Sequence, residues 1–313
     1  MPEISTAFPR FSKVSLRAAL EELREIGFAH LDSEPPPALG PWAELGPAAM
    51  FLHFATKDVP YKSAREISAF LRTRLRGGEA PSPSKSRMGV ELALPRHRLP
   101  GTSFWKVLHE RRTWRRFSRE PVALGHLSTL LHHTFGVKQW IDVGSLGRAA
   151  LKTSPSGGAC HPLEAYVAVR NVAAVKPGLY HYAPERHVLE CLRTGLSWRH
   201  LAAYFPNQPW FHRPAFVVFM TAVLERAAWH YPHSRTYRAI SLEAGHFCQT
   251  LSLVATALGL APFQTVALAD SRIERDLGID GINEPVLYAA GFGLPPGDGL
   301  DPAYASQLQR YGF

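Results

Sequence analysis

A long apolar stripe in the last third of the chain constrains the fold more than any other sequence feature. Between residues 237 and 258, apolar side chains recur at alternating steps of four and three, at Ile240, Ala244, Phe247, Leu251, Val254 and Leu258. This spacing places all six on one face of a helix of about six turns. Gly245, beside the stripe, would permit close approach of another helix, including one across a subunit interface, and Gly259 predicts the helix end. Such a helix needs a sizeable apolar partner.

The residues around this helix predict both helices and strands. Helices are predicted at 104–111, 124–135 and 270–277; strands are predicted at 164–170, 214–223, 264–268 and 285–290, with a hairpin turning at 183–186. Because strand–helix–strand units do not follow one another regularly, the pattern favours an α+β fold over a doubly wound one.

Two shorter helical patterns precede this region. One starts at Ser15, ends at Gly27 and is followed by a short strand at 28–31, which is part of a winged-helix pattern. The other starts at Ser63 with a capping box and ends at Gly77. The proline-rich segment that follows predicts a linker at 79–102. We therefore expect a small helical, peptide-binding domain at 1–78 and a larger domain at 103–313.

Composition limits the class of protein. Of the 313 residues, 46% are hydrophobic and 19% are charged, as in globular proteins. The longest strongly apolar run, 215–224, is too short to span a bilayer, and the first 15 residues lack the pattern of a secretory signal. The three widely spaced cysteines argue against a disulfide framework and favour a reducing compartment. We expect a cytoplasmic protein without a membrane partner.

The net charge of +9 is concentrated at the front of the chain. Residues 1–120 hold 20 Lys and Arg against 13 Asp and Glu. A basic surface suits a phosphate, an acidic peptide or nucleic acid. No nucleic-acid motif accompanies the charge, so a solvated basic face is the favoured interpretation and we expect no nucleic-acid partner.

Two segments have side chains or backbone suited to ligand chemistry. RRTWRRF, at 111–117, places four arginines around one threonine, and guanidinium groups match phosphate oxygens well, although an isolated cluster is more often an exposed turn. SPSGG, at 154–158, directly precedes a predicted strand and is longer than a hairpin turn requires. Its unobstructed backbone amides suit a flat ring or the carbonyls of that ring.

The order of these motifs resembles the nitroreductase-like flavoproteins. The shared series is RRTWRRF, SPSGGACHPLEAYV, GLYHYAPERHVL and the long helix with Ala-Leu-Gly-Leu, over about residues 103–293. Within that group the chain is most similar to the SagB-type dehydrogenases, which mature ribosomally made peptides. The resemblance implies a mixed central sheet flanked by helices, an FMN cofactor and a homodimer with the flavin between its subunits.

The resemblance also implies cofactor-binding residues. Arg111, Arg112, Thr113 and Arg115 match contacts to the FMN phosphate and ribityl chain, and Pro155, Ser156, Gly157 and Gly158 match the segment along the isoalloxazine. Val266 and Ala267 match backbone donors to flavin N5 and O4, although FQTVALAD lacks the expected glycines. GFGLPPGDGLDP lacks the cation usual after the last strand, so Arg112 and Arg115 would hold more of the phosphate charge.

The implied catalytic pair is His230 and Tyr231. Azoline-oxidising relatives have Lys-Tyr just before R-x-Y-R, which is RTYR at 235–238 here, one residue further on. A neutral histidine, with a pKa near ~6.5, can remove a proton while hydride leaves the neighbouring atom, and Tyr231 would orient the substrate. A structural loop histidine is the alternative. Metal or thiol chemistry at Cys160-His161 is disfavoured, because His161 fits the family loop.

These observations predict an FMN-dependent dehydrogenase that oxidises a group in a precursor peptide, such as thiazoline or oxazoline to thiazole or oxazole, alongside other maturation enzymes. Two alternatives stay open: an NAD(P)H-dependent nitro- or quinone reductase, and a peptide-binding scaffold with a degenerate flavin site.

Overall fold

The protein was analysed as a computed structural model that describes residues 12–25, 47–55, 64–96, 101–144, 147–206, 208 and 213–297. By its contacts the chain divides into two compact units. Residues 1–62 and 233–238 form the smaller unit, and residues 63–232 and 239–313 form the larger one.

The smaller unit contains helices α1 (Lys13–Glu25) and α2 (Pro47–Ala55). Helix α1 starts slightly earlier than predicted, because the Ser12 hydroxyl accepts a hydrogen bond from the Ser15 amide at 3.0 Å. Ser234 donates to the Ala55 carbonyl at 2.7 Å, and Arg238 donates to the His53 carbonyl at 3.1 Å. These contacts tie the RTYR segment to the end of α2. The strand predicted at 28–31, and with it the winged-helix pattern, lies outside the described residues.

The larger unit combines helices with two sheets. The helices are α3 (Ala64–Gly77), α4 (Phe104–Glu110), α5 (Leu124–Phe135), α6 (Trp198–Ala202), α7 (Leu224–His230), α8 (Arg235–Ala257, which begins in the smaller unit) and α9 (Asp270–Leu277). The strands are β1 (Glu91–Ala93), β2 (Gln139–Asp142), β3 (Arg148–Leu151), β4 (Leu163–Val169), β5 (Gly178–Ala183), β6 (Val188–Thr194), β7 (Phe216–Ala222), β8 (Ala261–Thr265) and β9 (Val286–Gly293).

Seven strands form one sheet in the order β1-β6-β5-β4-β7-β9-β8, and β2 pairs with β3 in a separate hairpin. The predicted α+β class is confirmed. Every pairing between described strands is antiparallel, whereas the resemblance implied a mixed sheet. All residues of β4 and β7 are buried, because apolar clusters cover both faces of the sheet centre. This explains why β7 is a continuous apolar run and not an alternating one.

The predicted stripe of the long helix packs into the protein's own core. Ile240, Ala244, Phe247, Leu251 and Val254 are buried, in the cluster that contains residues of β4 and β7. Gly245 lies on the exposed side of α8, and a β-carbon there would meet nothing within 4 Å. Leu242, on the same helix, is 62% exposed. The stripe is therefore occupied within the chain, and the exposed surface around Gly245 stays a candidate for a subunit contact.

The segment predicted as a linker contributes a strand to the main sheet. β1 pairs with β6 through Leu92 and Leu189, and α3 also belongs to the larger unit. The contact boundary between residues 62 and 63 thus differs from the sequence-based division at 78 and 102. A three-residue strand next to prolines gives no periodic signal, which is why the sequence did not indicate it. Of the described helices, none is long and apolar enough to cross a membrane.

Candidate active site

The glycine loop, defined as residues 154–161, connects β3 to β4. Gly157–Ala159 form one 3-10 turn, and Gly158 has φ 62° and ψ 18°, a left-handed conformation that favours glycine. The Ser156 hydroxyl accepts a hydrogen bond from the His161 amide at 2.9 Å and donates to Glu243 Oε2 at 2.7 Å. A single side chain therefore closes the loop on itself and attaches it to α8.

The register of the central strands brings Tyr231 to this loop. Leu163, at the start of β4, pairs with Ala222, at the end of β7, and the Val223 amide donates to the Pro162 carbonyl at 2.8 Å. The glycine loop and α7 therefore lie at the same end of the sheet. A β-carbon at Gly158 would be only 2.6 Å from the Tyr231 hydroxyl, so any side chain there would displace the phenol.

A cleft of about 450 Å³ opens at this end of the sheet. Its floor comprises Gly158, Ala159 and Cys160 of the glycine loop, with Arg226 and His230 of α7. Gly158 and His230 therefore line the same cleft. The resemblance assigned Gly158 to cofactor binding and His230 to catalysis.

His230 and Tyr231 have the protonation states that the predicted roles require. Burial lowers the pKa of His230 below its ordinary value, and the Arg226 carbonyl one turn earlier partly offsets this. Its Nδ1 is buried without a partner at hydrogen-bond geometry among the described residues. Burial, and secondarily Cys160, raises the pKa of Tyr231. At neutral pH the histidine is thus a base and the tyrosine keeps its proton, while their catalytic roles stay predictions.

The arginine segment lies along the β8 edge of the main sheet. The Trp114 amide donates to the Pro262 carbonyl, and the Ser118 amide donates to the Leu294 carbonyl, each at 2.9 Å. Arg115 lies 6.0 Å from the centre of the Phe263 ring. Of the four predicted phosphate contacts, the three arginines, Arg111, Arg112 and Arg115, are half-buried and Thr113 is exposed.

Val266 and Ala267 directly follow β8 at this edge. Val266 is 70% exposed. The Ala267 amide donates to Thr265 Oγ1 at 3.0 Å, and its carbonyl accepts from Gln208 at 2.6 Å. The amide of Ala267 therefore has an acceptor within its own turn. The described lining of the cleft includes Gly158 and His230 but none of the arginine segment, Val266 or Ala267.

Two ionisable residues beside the glycine loop were not singled out from the sequence. Glu243 is 6% exposed, and burial raises its pKa to about 7, against the opposing effects of the Ser156 hydrogen bond and Lys152. Its Oε1 is buried without a hydrogen-bond partner among the described residues. Burial lowers the pKa of Lys152 to about 8. Glu243 lies three residues after Ile240 and four before Phe247, so it places a carboxylate within the apolar stripe. That position could have indicated a buried ionisable residue from the sequence alone.

Arg226 is a third residue that the sequence did not indicate. Its side chain is 5% exposed and makes an ion pair with Glu164 Oε1 at 2.6 Å. It also donates to the His161 carbonyl at 3.1 Å and to the Ser82 carbonyl at 2.8 Å. Buried charges need such complete pairing, so Arg226 fixes the end of the glycine loop relative to β4.

Comparison with known proteins identifies the family. Residues 108–294 match the nitroreductase family, which is more than half of the chain. The chain belongs to the nitroreductase family. Members of this family are flavin-dependent oxidoreductases.

Individual relatives of this nitroreductase-family chain are moderately similar. Protein MJ1384 of Methanocaldococcus jannaschii, named as a nitroreductase, is 34% identical over 173 residues, covering 55% of this chain and 83% of that protein. The trifolitoxin-processing protein TfxB of Rhizobium leguminosarum bv. trifolii is 28% identical over 174 residues, covering 54% of this chain and 46% of that protein. A crystal structure named as a nitroreductase, from Ralstonia eutropha JMP134, is 21% identical with a TM-score of 0.54, covering 69% of this chain and 98% of that one. The structural likeness supports the fold.

The residues of this chain fit a flavin in two respects. A β-carbon at Gly157 would meet nothing within 4 Å, so the loop presents open backbone to a flat ring. The half-buried guanidinium groups of Arg111, Arg112 and Arg115 supply donors of the kind that bind a phosphate.

Proposed function

We propose that this nitroreductase-family chain is an FMN-dependent dehydrogenase that oxidises an azoline ring in a modified precursor peptide to the azole. The observation that carries the proposal is the packing of Tyr231 on Gly158 with His230 lining the same cleft. This arrangement puts a neutral base and a phenol beside the loop expected to support the flavin. The similarity to a trifolitoxin-processing protein supports action on a peptide. The proposal also includes a cytoplasmic location and other maturation enzymes as partners.

The cofactor contacts are proposed from the family resemblance of the predicted residues. Arg111, Arg112, Thr113 and Arg115 would hold the FMN phosphate and ribityl chain. Pro155, Ser156, Gly157 and Gly158 would lie along the ring, with Val266 and Ala267 at its polar edge. When bound, FMN supplies the two-electron acceptor that none of the twenty side chains provides.

Residues of this chain would remove the proton from the azoline ring. His230 accepts a proton from one ring carbon of the azoline as hydride leaves the adjacent ring carbon, so that a carbon–carbon double bond forms and the ring becomes aromatic. Tyr231, which keeps its phenolic proton, donates a hydrogen bond that orients the ring. Dioxygen would be the final acceptor of the electron pair and would be reduced to hydrogen peroxide.

An NAD(P)H-dependent nitro- or quinone reductase is the second candidate. The 34% identity to MJ1384, which is named as a nitroreductase, favours it. Both candidates need the same flavin, and they differ in the molecule that reduces it.

The deciding experiment is anaerobic reduction of the FMN-loaded protein. A synthetic hexapeptide with one thiazoline ring should bleach the visible flavin absorbance, and mass spectrometry should show that the peptide has lost two hydrogens. Bleaching by NADPH and not by the peptide would establish the reductase instead. Recovery of FAD, or of no flavin after reconstitution, would refute both.

A further inference from the structure

One side of the cleft is built from residues that precede the family-matched region. Leu75 of α3 and Glu79, Ala80, Pro81 and Pro83 line the cleft together with the glycine loop. We call residues 79–83 the cleft wall. Since the family match begins at residue 108, this wall lies outside the matched region.

A buried arginine joins the cleft wall to the glycine loop. Arg226 donates through Nε to the Ser82 carbonyl at 2.8 Å and through Nη1 to the His161 carbonyl at 3.1 Å. One planar guanidinium therefore sets the separation between the wall and the loop. Because Glu164 neutralises this group at 2.6 Å, it cannot turn outward without leaving a buried charge unpaired.

The residues after the wall attach it to the main sheet. Lys85 donates to the Tyr166 hydroxyl at 2.9 Å and pairs with Glu284. The Ser86 hydroxyl and the Arg87 amide both donate to the Glu190 carboxylate, at 2.8 Å and 2.7 Å. β1 follows and pairs with β6. Consecutive attachments of this kind give the wall a fixed position.

The chemistry of the lining favours a neutral ring over a polyphosphate. Pro81 and Pro83 have fixed φ angles and no backbone N–H, so they present apolar rings and carbonyls. Trp140, Val143 and Ala149 add further apolar surface from the β2–β3 hairpin. A cleft of about 450 Å³ is within the usual range for a site that encloses a small organic group.

The charges of the lining also balance. Glu79 and Glu185 oppose Arg148 and Arg226 among the described lining residues. Arg226 is committed to Glu164, and Arg148 lies 4.6 Å from the centre of the Trp140 ring. The cleft therefore has no excess of cations for the phosphates of a dinucleotide.

We propose that the cleft wall selects the substrate: residues 79–83 admit an uncharged, ring-bearing segment of a peptide and restrict bulkier or polyanionic molecules. This inference rests on the proposed function, because it takes the glycine loop as the place where the flavin is bound. It assigns a specificity-determining role to residues outside the family-matched region.

The test places larger side chains on the cleft wall, where they should reduce the space in the cleft. Ala80→Trp introduces an indole into the lining, Ala80→Leu is a smaller step, and Met88→Trp is the matched control because Met88 is 99% exposed in the same segment. A hexapeptide with one thiazole ring, the expected product, is titrated calorimetrically into wild type and each variant, with and without FMN. We expect the affinity to fall at least ~10-fold in Ala80→Trp and less in Ala80→Leu, with no change in Met88→Trp. FMN stoichiometry and the rate of flavin reduction by dithionite should be equal in all four proteins.

Equal peptide affinities in wild type and Ala80→Trp would overturn the role of the wall, as would a wild type that does not bind the peptide. A wild type that binds the peptide in an Ala80-dependent manner, yet is not reduced by the thiazoline form, would refute the dehydrogenase proposal alone. The two proposals therefore fail separately.

Discussion

The hydroxyl of Tyr231 occupies the space that a side chain at position 158 would need: a β-carbon on Gly158 would lie 2.6 Å from it. Gly158→Ala should therefore displace the phenol and force alanine into a left-handed conformation. We expect a loss of about 1–2 kcal/mol in the free energy of unfolding, measured with urea, and slower turnover. Gly157→Ala is the control for the urea measurement on the flavin-free protein, since nothing lies within 4 Å of its β-carbon position there. Equal effects of the two substitutions would show that the contact is unimportant.

His230→Ala should slow flavin reduction by the thiazoline peptide by ~10²–10⁴-fold, the usual contribution of a general base. Because burial lowers the pKa of His230, wild-type activity should fall only below the ordinary titration range of histidine, where the ring becomes protonated. His230→Ala should lack this acid limb. Stopped-flow absorbance across pH measures both effects, with the exposed His109→Ala as control. Full-speed reduction in His230→Ala would end the assignment.

Glu243→Gln should alter the pH dependence of stability. Burial raises the pKa of Glu243 from 4.5 to about 7, so the folded state binds a proton that the unfolded state has lost, and stability falls as pH rises from about 4.5 to about 7. At about 1.4 kcal/mol per pKa unit, the loss is at most about 3 kcal/mol. Glutamine still accepts the Ser156 hydrogen bond but cannot ionise, so this decline should disappear. Urea unfolding from pH 5 to 8 measures this decline in stability. The exposed Glu225→Gln is the control and should behave as wild type. A parallel decline in Glu243→Gln would show that another group causes the pH dependence.

Replacing both Arg112 and Arg115 by alanine should weaken FMN binding while the circular dichroism spectrum is retained. Each charge-assisted hydrogen bond to a phosphate contributes about 1.5 kcal/mol or more, so the pair predicts a Kd increased by roughly 100-fold or more. Arg119→Ala combined with Lys176→Ala removes the same charge from exposed positions and should leave the Kd unchanged. Unchanged binding in the first variant would place the phosphate elsewhere.

The exposed side of α8 should contact a second copy of the chain. Gly245→Leu adds a side chain where the protomer has open space, and leucine favours the helix over glycine by roughly 0.5–1 kcal/mol, so the protomer itself should not be destabilised. We expect a lower dimer fraction by light scattering and a parallel release of FMN. A wild-type monomer with flavin bound would be incompatible with this expectation.

Local periodicity explains what the sequence predicted well. The stripe of α8 and the apolar run of β7 were indicated because each repeats at the spacing of a buried helix or strand. The contact between Gly158 and Tyr231 was not indicated, because it depends on the pairing of Leu163 with Ala222, which are far apart in the chain. β8 lies at 261–265, earlier than the predicted 264–268, because Thr265 starts a turn with the Ala267 amide.

The presence of β1 should determine whether shortened forms of the protein self-associate. It pairs with β6 and so covers one outer edge of the seven-stranded sheet. A chain cut back to the family-matched region at residue 108 would expose the backbone N–H and C=O groups of β6 along the stretch from Val188 to Glu190. Such an uncovered strand is a template for pairing with other molecules. The shortened protein should therefore self-associate through its sheets, whereas a chain that retains residues 85–94 should stay dispersed.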